Sequence, residues 1–507
     1  MNLLQDRHVL VLGLGLSGLA MARWCAAQGA SVTVADTRAE PPQLAALRQQ
    51  LPTARFVSGA LDASLLDDAS VRAVYRSPGL SPASIAGVAR AARERGLPVG
   101  GELDLFVQAL AGLKQQRDYQ PALLAVTGTN GKTTVTALTG QLVERAGLSV
   151  AVAGNIGPSL LDTLQARLDG EALPQVWVLE LSSFQLDGVV GFEPTAATVL
   201  NVTQDHLDWH GDMAAYAAAK ARVFGEHGVM LLNRNDPVVS GMRPALAAKP
   251  VKGPRPAPRS VVTFGADLPQ APGDFGIEVV AGMAWLVRAQ EADETQRRRK
   301  DAAVELHIQR LMPADALRIR GRHNAVNALA ALALASSAGC ALGPMLYGLR
   351  EYRGEPHRVE SVGMLEGIEY FDDSKGTNVG ATVAALEGLG AERKLVVILG
   401  GDGKGQDFSP LAAPVSRCAR AVLLIGRDAP QIRAALQDAG VPLRDADDMA
   451  GAVALARERA QPGDAVLLSP ACASLDMYAN YVARADAFRA AVRDQALAAG
   501  VELEMLA

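Results

Sequence analysis

The chain has only four cysteines, Cys25, Cys340, Cys418 and Cys472, spread through 507 residues and never paired as C-x-x-C. That scarcity excludes a disulfide framework and a thiolate zinc site, and it suits a reducing cytosol. A surplus of positive charge is missing as well. With 49 Lys and Arg against 54 Asp and Glu, the net charge of -5 gives no case for a nucleic-acid partner. No secretory leader is legible, because Asp6 and Arg7 precede an apolar run that soon breaks into glycines. A membrane span is lacking too. Residues 328–349 come nearest, being uncharged, but Ser336, Ser337, Gly339, Gly343 and Pro344 interrupt them. A buried helix ending near Gly339 is expected there.

What remains is 49% hydrophobic and 20% charged, an ordinary globular balance, and the length suggests about three domains. One stretch organises them: LLAVTGTNGKTT, residues 123–134. An apolar strand runs into a loop holding Gly128, Thr129, Asn130 and Gly131. Lys132, Thr133 and Thr134 then open a helix expected over residues 135–146. Glycines let backbone N–H groups wrap oxyanions, and the helix start adds its positive end. Lys132 would reach the outer phosphates of a nucleoside triphosphate, and Thr133 is placed to ligate magnesium. The spacing departs from the usual G-x-x-x-x-G-K-[ST], since Val126 stands where the first glycine belongs. An ordinary glycine turn is the plainer reading, but it leaves the lysine and both threonines without a purpose.

A second glycine loop lies near the start. Residues 8–36 read strand, loop, helix, strand, with G-x-G-x-x-G at Gly13, Gly15 and Gly18 and an acid, Asp36, closing the second strand. Alone, this fingerprint points to a NAD-dependent oxidoreductase, and that reading stays open here. Strand–helix units continue at residues 73–79 and 97–106, and the polar segment KQQRDYQ, residues 114–120, is expected to be a linker.

Strands at residues 149–155, 176–186 and 196–211 follow the triphosphate loop, each ending in polar residues at a carboxyl edge. Two inserts, residues 250–259 and 290–301, read as solvated loops. After Gly354, strands at 394–399, 421–425 and 465–469 announce another Rossmann-like sheet.

Several polar residues sit where chemistry is possible. Glu180 ends an apolar strand, where a carboxylate wants a partner such as magnesium; a satisfied, half-exposed glutamate is the alternative. His206 follows another apolar strand and would face the same metal, while Lys220 lies in a later helix. Asn324 and Asn327 share a face at a helix start, with N-capping as the alternative for Asn324. Arg358, Asp373, Lys375 and Thr377 cluster near the last junction, where cations could clamp a phosphoryl group in transfer. GGDGKG brings Lys404, and SPACASLDMY brings Ser474 and donors for a carboxylate.

GTNGKTT, AGNIG, LELSSFQL, NVTQDHLD, GRHNAVNALAA, PHRVE, DDSKGTN, GGDGKG and SPACASLD occur in the order of the bacterial Mur ligases. The chain resembles that family nearly end to end, apart from the two inserts. The resemblance implies three α/β domains: a Rossmann-like unit at residues 1–117, a central P-loop ATPase-type parallel sheet at 118–354, and a Rossmann-like unit at 355–507. It implies a cytoplasmic, monomeric, ATP-dependent ligase of peptidoglycan precursor synthesis that joins D-glutamate to UDP-N-acetylmuramoyl-L-alanine. Under it the first glycine loop cradles UDP, with Leu16, Ser17, Asp36, Thr37 and Arg38. Asn155, Ser182, Gln185 and His206 would approach the rest of that substrate or its metal. Lys132, Thr133 and Glu180 would serve ATP and one magnesium. Lys220, as a carbamate, and His206 would hold a second magnesium. Asn324 and Asn327 would face adenine, with Arg358, Asp373 and Lys375 completing the ATP site. Thr377, Lys404, Ser474, Leu475 and Tyr481 would hold D-glutamate. Tyr481 stands where the family usually has phenylalanine, and Arg484–Ala485 replaces its usual Arg-Gly pair. The DNPR string of the diaminopimelate- and lysine-adding relatives is absent.

Overall fold

The computed structural model describes residues 4–244, 259–292, 305–391 and 393–504. Both expected loop inserts fall largely outside these residues. The first sheet is fully parallel, ordered Arg55–Ser58, Ser31–Asp36, His8–Leu12, Val71–Arg76, Val99–Gly100. The second has six parallel strands, ordered Val261–Phe264, Val229–Asn233, Ala196–Val199, Ala122–Thr127, Val176–Glu180, Val150–Gly154. In the last sheet the order is Glu360–Leu365, Ile368–Asp372, Ala465–Leu468, Leu395–Gly400, Ala419–Ile425, Leu443–Asp445, parallel except for its first, antiparallel edge.

A three-stranded antiparallel sheet, Phe275–Val280, Met283–Glu291 and Leu306–Pro313, carries no expectation from the sequence. Two of its strands flank residues 293–304. The segment read as a linker is also corrected: helix Glu102–Arg117 runs through its first half and ends on Asp118 in the left-handed region. The uncharged stretch after residue 328 continues the buried helix Arg322–Ser337, and no helix among the described residues is long and apolar enough to cross a membrane.

The two junctions between units differ in kind. At the first, Phe106 meets Trp177 edge to face, 5.1 Å between centroids, inside one apolar cluster shared by the first two sheets. Arg23 adds a forked pair with Asp162 at 2.7 Å. The third unit keeps two apolar clusters of its own, drawn only from residue 359 onward. Its contacts with the central unit include Arg358 with Thr133 and Asn378 with Asn130.

Candidate active site

The strand register sets the geometry. Val126 pairs with Glu180, which in turn pairs with Gly154. This explains the missing first glycine of the loop: Val126 is still strand, fully buried. The turn comes after it, at Gly128 (φ 155°) and Gly131 (φ 82°), the latter starting helix Lys132–Arg145. At Gly131 a side chain would also collide with the Asn327 amide, 2.9 Å from the position of a Cβ.

Lys132 donates to the carbonyls of Gly128 (2.9 Å) and Thr129 (2.8 Å). Lys220 is buried, lies 4.4 Å over the Tyr216 ring, and donates to the same Gly128 carbonyl at 2.8 Å. Two ammonium groups thus converge on one neutral oxygen. Burial lowers the pKa of both, and at Lys220 the neighbouring Lys132 charge adds to it, so that Lys220 falls well below the ordinary lysine value.

Glu180 is 1% exposed. Its Oε1 accepts from Asn155 Nδ2 at 2.9 Å, whereas Oε2 has no hydrogen-bond partner among the described residues. An orphaned buried carboxylate oxygen beside a triphosphate loop fits a hard cation, with Thr133 as a second oxygen donor. The satisfied-glutamate alternative therefore fails. The Thr133 hydroxyl accepts from Arg358 across 225 residues of chain.

A cleft of about 500 Å³ collects these groups: Lys132, Thr133, Asn155, Glu180 and His206 on the central side, Arg358, Lys375, Thr377 and Lys404 on the other. The His206 ring lies tilted against Phe184, 4.7 Å between centroids, and burial lowers its pKa. Lys375 rests 4.0 Å over the Tyr481 ring, and burial with Arg358 nearby brings it down to about 8. A smaller hollow of about 110 Å³ opens behind, lined by Gly131, Asn324, Asn327, Arg358 and Asp373. Asn324 does not cap its helix. Gly321 holds the cap position, and Asn324 Nδ2 donates to the Arg320 carbonyl while its oxygen receives Asn327. Asp373 is buried against Ser469 Oγ (2.6 Å), and burial raises its pKa to about 7.

Other expected residues lie apart. Leu16, Ser17, Thr37 and Arg38 sit at the carboxyl edge of the first sheet with Asp36. Asp36 takes Leu14 N at 2.7 Å and both the main chain and guanidinium of Arg38, which lowers its pKa to about 2. With both oxygens engaged, it has no free edge for a ribose diol, which removes the support for NAD. Ser182 and Gln185 cap one another at the start of helix Ser183–Leu186, outside the cleft lining. Ser474 is buried and Leu475 exposed on the loop that bridges Asp402 through Ala473, beside the Lys404 turn.

Sequence reasoning passed over Gln204, Asp205, Asp208, Asn378 and Gln406 in the cleft, and His323 in the hollow. The two acids of NVTQDHLD are a signal that could have been read. His323 is held neutral by burial, its pKa down to about 4.

The residues match three family models: the Mur ligase MurD-like N-terminal domain over 7–101, the Mur ligase middle domain over 126–335, and the Mur ligase glutamate ligase domain over 357–472. The UDP-N-acetylmuramoylalanine–D-glutamate ligase of Albidiferax ferrireducens is 68% identical over 99% of both chains. The one from a Polaromonas species is 58% identical, over 99% of this chain and 100% of its own. Among solved structures, the MurF ligase of Thermotoga maritima in complex with ADP superimposes with a TM-score of 0.55 at 15% identity, covering 98% of this chain and 100% of its own, a likeness of fold. Full-length identity of this order leaves one assignment: the chain belongs to the Mur ligase family.

Proposed function

We infer that the protein is an ATP-dependent ligase that joins D-glutamate to UDP-N-acetylmuramoyl-L-alanine and releases ADP and phosphate, in peptidoglycan precursor synthesis. The observation that carries this reading is the single cleft in which a triphosphate loop, an orphaned carboxylate and cations from a separate unit meet. A carboxylate is a poor acyl donor. Its oxygen attacks the γ-phosphorus of ATP, ADP leaves, and an acyl phosphate forms. The D-glutamate amine then adds to the acyl carbon, loses a proton, and the tetrahedral adduct expels phosphate.

Our assignment of roles follows the cleft. Lys132, Arg358 and Lys375 would offset charge on the phosphoryl group, and the loop from Gly128 to Thr134 would cradle the phosphates. Asn324, Asn327 and Asp373 would hold the nucleoside. Thr133 and Glu180 would hold one magnesium, and His206 with carbamylated Lys220 a second. When bound, magnesium supplies charge neutralisation at the phosphoryl oxygens. The depressed pKa of Lys220 supports the carbamate, since only an uncharged amine takes up carbon dioxide. Leu16, Ser17 and residues 36–38 would take the UDP end, with Asn155, Ser182 and Gln185 toward the acyl end. Thr377, Lys404, Ser474, Leu475 and Tyr481 would bind D-glutamate.

We divide the chain at 1–117, 118–354 and 355–507, in line with the sheets. We read the protein as a monomer. All four cysteines are free and buried, which supports a cytoplasmic setting.

Phosphate release from ATP tests the reading. It should require UDP-N-acetylmuramoyl-L-alanine and rise strongly on adding D-glutamate. Release indifferent to both would overturn it.

A further inference from the structure

The first junction is a shared apolar core, whereas the second carries a reciprocal pair of side-chain amides. Asn378 lies at its centre, 6% exposed, at the cap of helix Val379–Gly390. Its Oδ1 accepts from Ala381 N at 2.9 Å and from Asn130 Nδ2 at 3.2 Å. Its Nδ2 donates to Asn130 Oδ1 at 3.0 Å and to Asp205 Oδ2 at 3.4 Å. A carboxamide offers two donors and two acceptor sites, and here all of them are engaged.

Asn130 belongs to the triphosphate loop. Its main chain is clamped by the Asn201 amide, at 2.8 and 3.1 Å, so its side chain reports the position of the loop backbone. The docking helix comes close because it carries glycines where it touches. A Cβ on Gly380 would lie 2.6 Å from Thr203 Oγ1, and one on Gly388 would lie 2.4 Å from His323 Nδ1. Cleft residues Lys375 and Thr377 stand three and one positions before Asn378, so they move with it.

We propose that Asn378 is a positioning residue: its reciprocal amide pair with Asn130 latches the third unit onto the triphosphate loop and so aligns the amine-accepting side of the cleft with the phosphates. Amide pairs contribute little net free energy each, so such a latch opens and closes readily. A shift of about 1 Å in the helix is enough to misalign reacting groups.

Two variants approach the contact from opposite sides. Asn378→Asp keeps the capping oxygen but loses both donations and places a carboxylate against Asp205. Gly380→Ala leaves Asn378 in place and favours the helix, but wedges it off Thr203. Each should lower kcat by about 100-fold, and Gly380→Ala should leave the thermal midpoint and the affinity for a non-hydrolysable ATP analogue nearly unchanged. Small-angle scattering of the full chain should give a larger radius of gyration than wild type. A kcat within about twofold of wild type in either variant overturns the proposal, as does loss of turnover with an unchanged radius of gyration. The turnover arm rests on the ligase reading. Wild-type phosphate release indifferent to D-glutamate would count against that reading and leave the scattering comparison intact.

Discussion

The chain contains two glycine loops built on one plan: a buried strand, a glycine at positive φ, a glycine at the helix cap, and a helix. They differ in charge. The first loop, Gly13 to Gly18, already holds an anion, because the Asp36 carboxylate receives Leu14 N and Arg38 at 2.7–3.0 Å. The second gathers cations against neutral oxygens. Lys132 and Lys220 both donate to the Gly128 carbonyl, and Arg358 to the Thr133 hydroxyl. The glycines supply shape in both places. Which ligand enters is decided by the side chains delivered from neighbouring strands and helices, and only the second loop has two lysines brought against it.

The comparison is broken most severely by removing its cations. Lys132→Ala should cut turnover by about a thousandfold or more while the protein stays folded, because on the proposed assignment it removes the charge nearest the transferred phosphoryl group. Assay and thermal melt together check this. Lys220→Ala should be nearly as inactive. Because the vacant space would fit a small anion, formate or acetate should restore part of the rate, and failure of every short carboxylate to do so would count against the carbamate.

A milder break falls on the first loop. Asp36→Ala should raise the KM for the UDP substrate by about 10- to 100-fold, because it releases Arg38 and the Leu14 turn that its carboxylate holds through charge-assisted hydrogen bonds, and leave the KM for ATP unchanged. The smallest effect is on pH. The pKa of Lys375 is lowered to about 8, so its charge is full below that value and is lost as pH rises through it. The alkaline limb of kcat/KM for ATP should sit near there, and Lys375→Arg should move it upward.

Much of this was readable because it is local. Strand, glycines, lysine and helix all fall within residues 122–145, so pattern alone places the second loop. Asp36 and the first sheet were legible for the same reason. Helix Glu102–Arg117 was cut short because its apolar positions thin out after Leu113 while the backbone bonding continues. The antiparallel strands at 275–313 were missed since several of their positions are half-exposed and do not alternate cleanly. The contacts of Asn378 with Asn130 and of Arg358 with Thr133 span more than 200 residues, and no local spacing encodes them. The turn of Asp36 onto its own loop was likewise invisible, which is why the dinucleotide fingerprint looked complete.

Titration calorimetry puts the division between the loops to its most direct test. A non-hydrolysable ATP analogue and UDP-N-acetylmuramoyl-L-alanine are each titrated into wild type, Lys132→Ala and Asp36→Ala. The expected pattern is crossed: Lys132→Ala weakens only the analogue, and Asp36→Ala weakens only the UDP substrate. Equal weakening of the analogue by both substitutions, or NAD binding to wild type that Asp36→Ala abolishes, would contradict it.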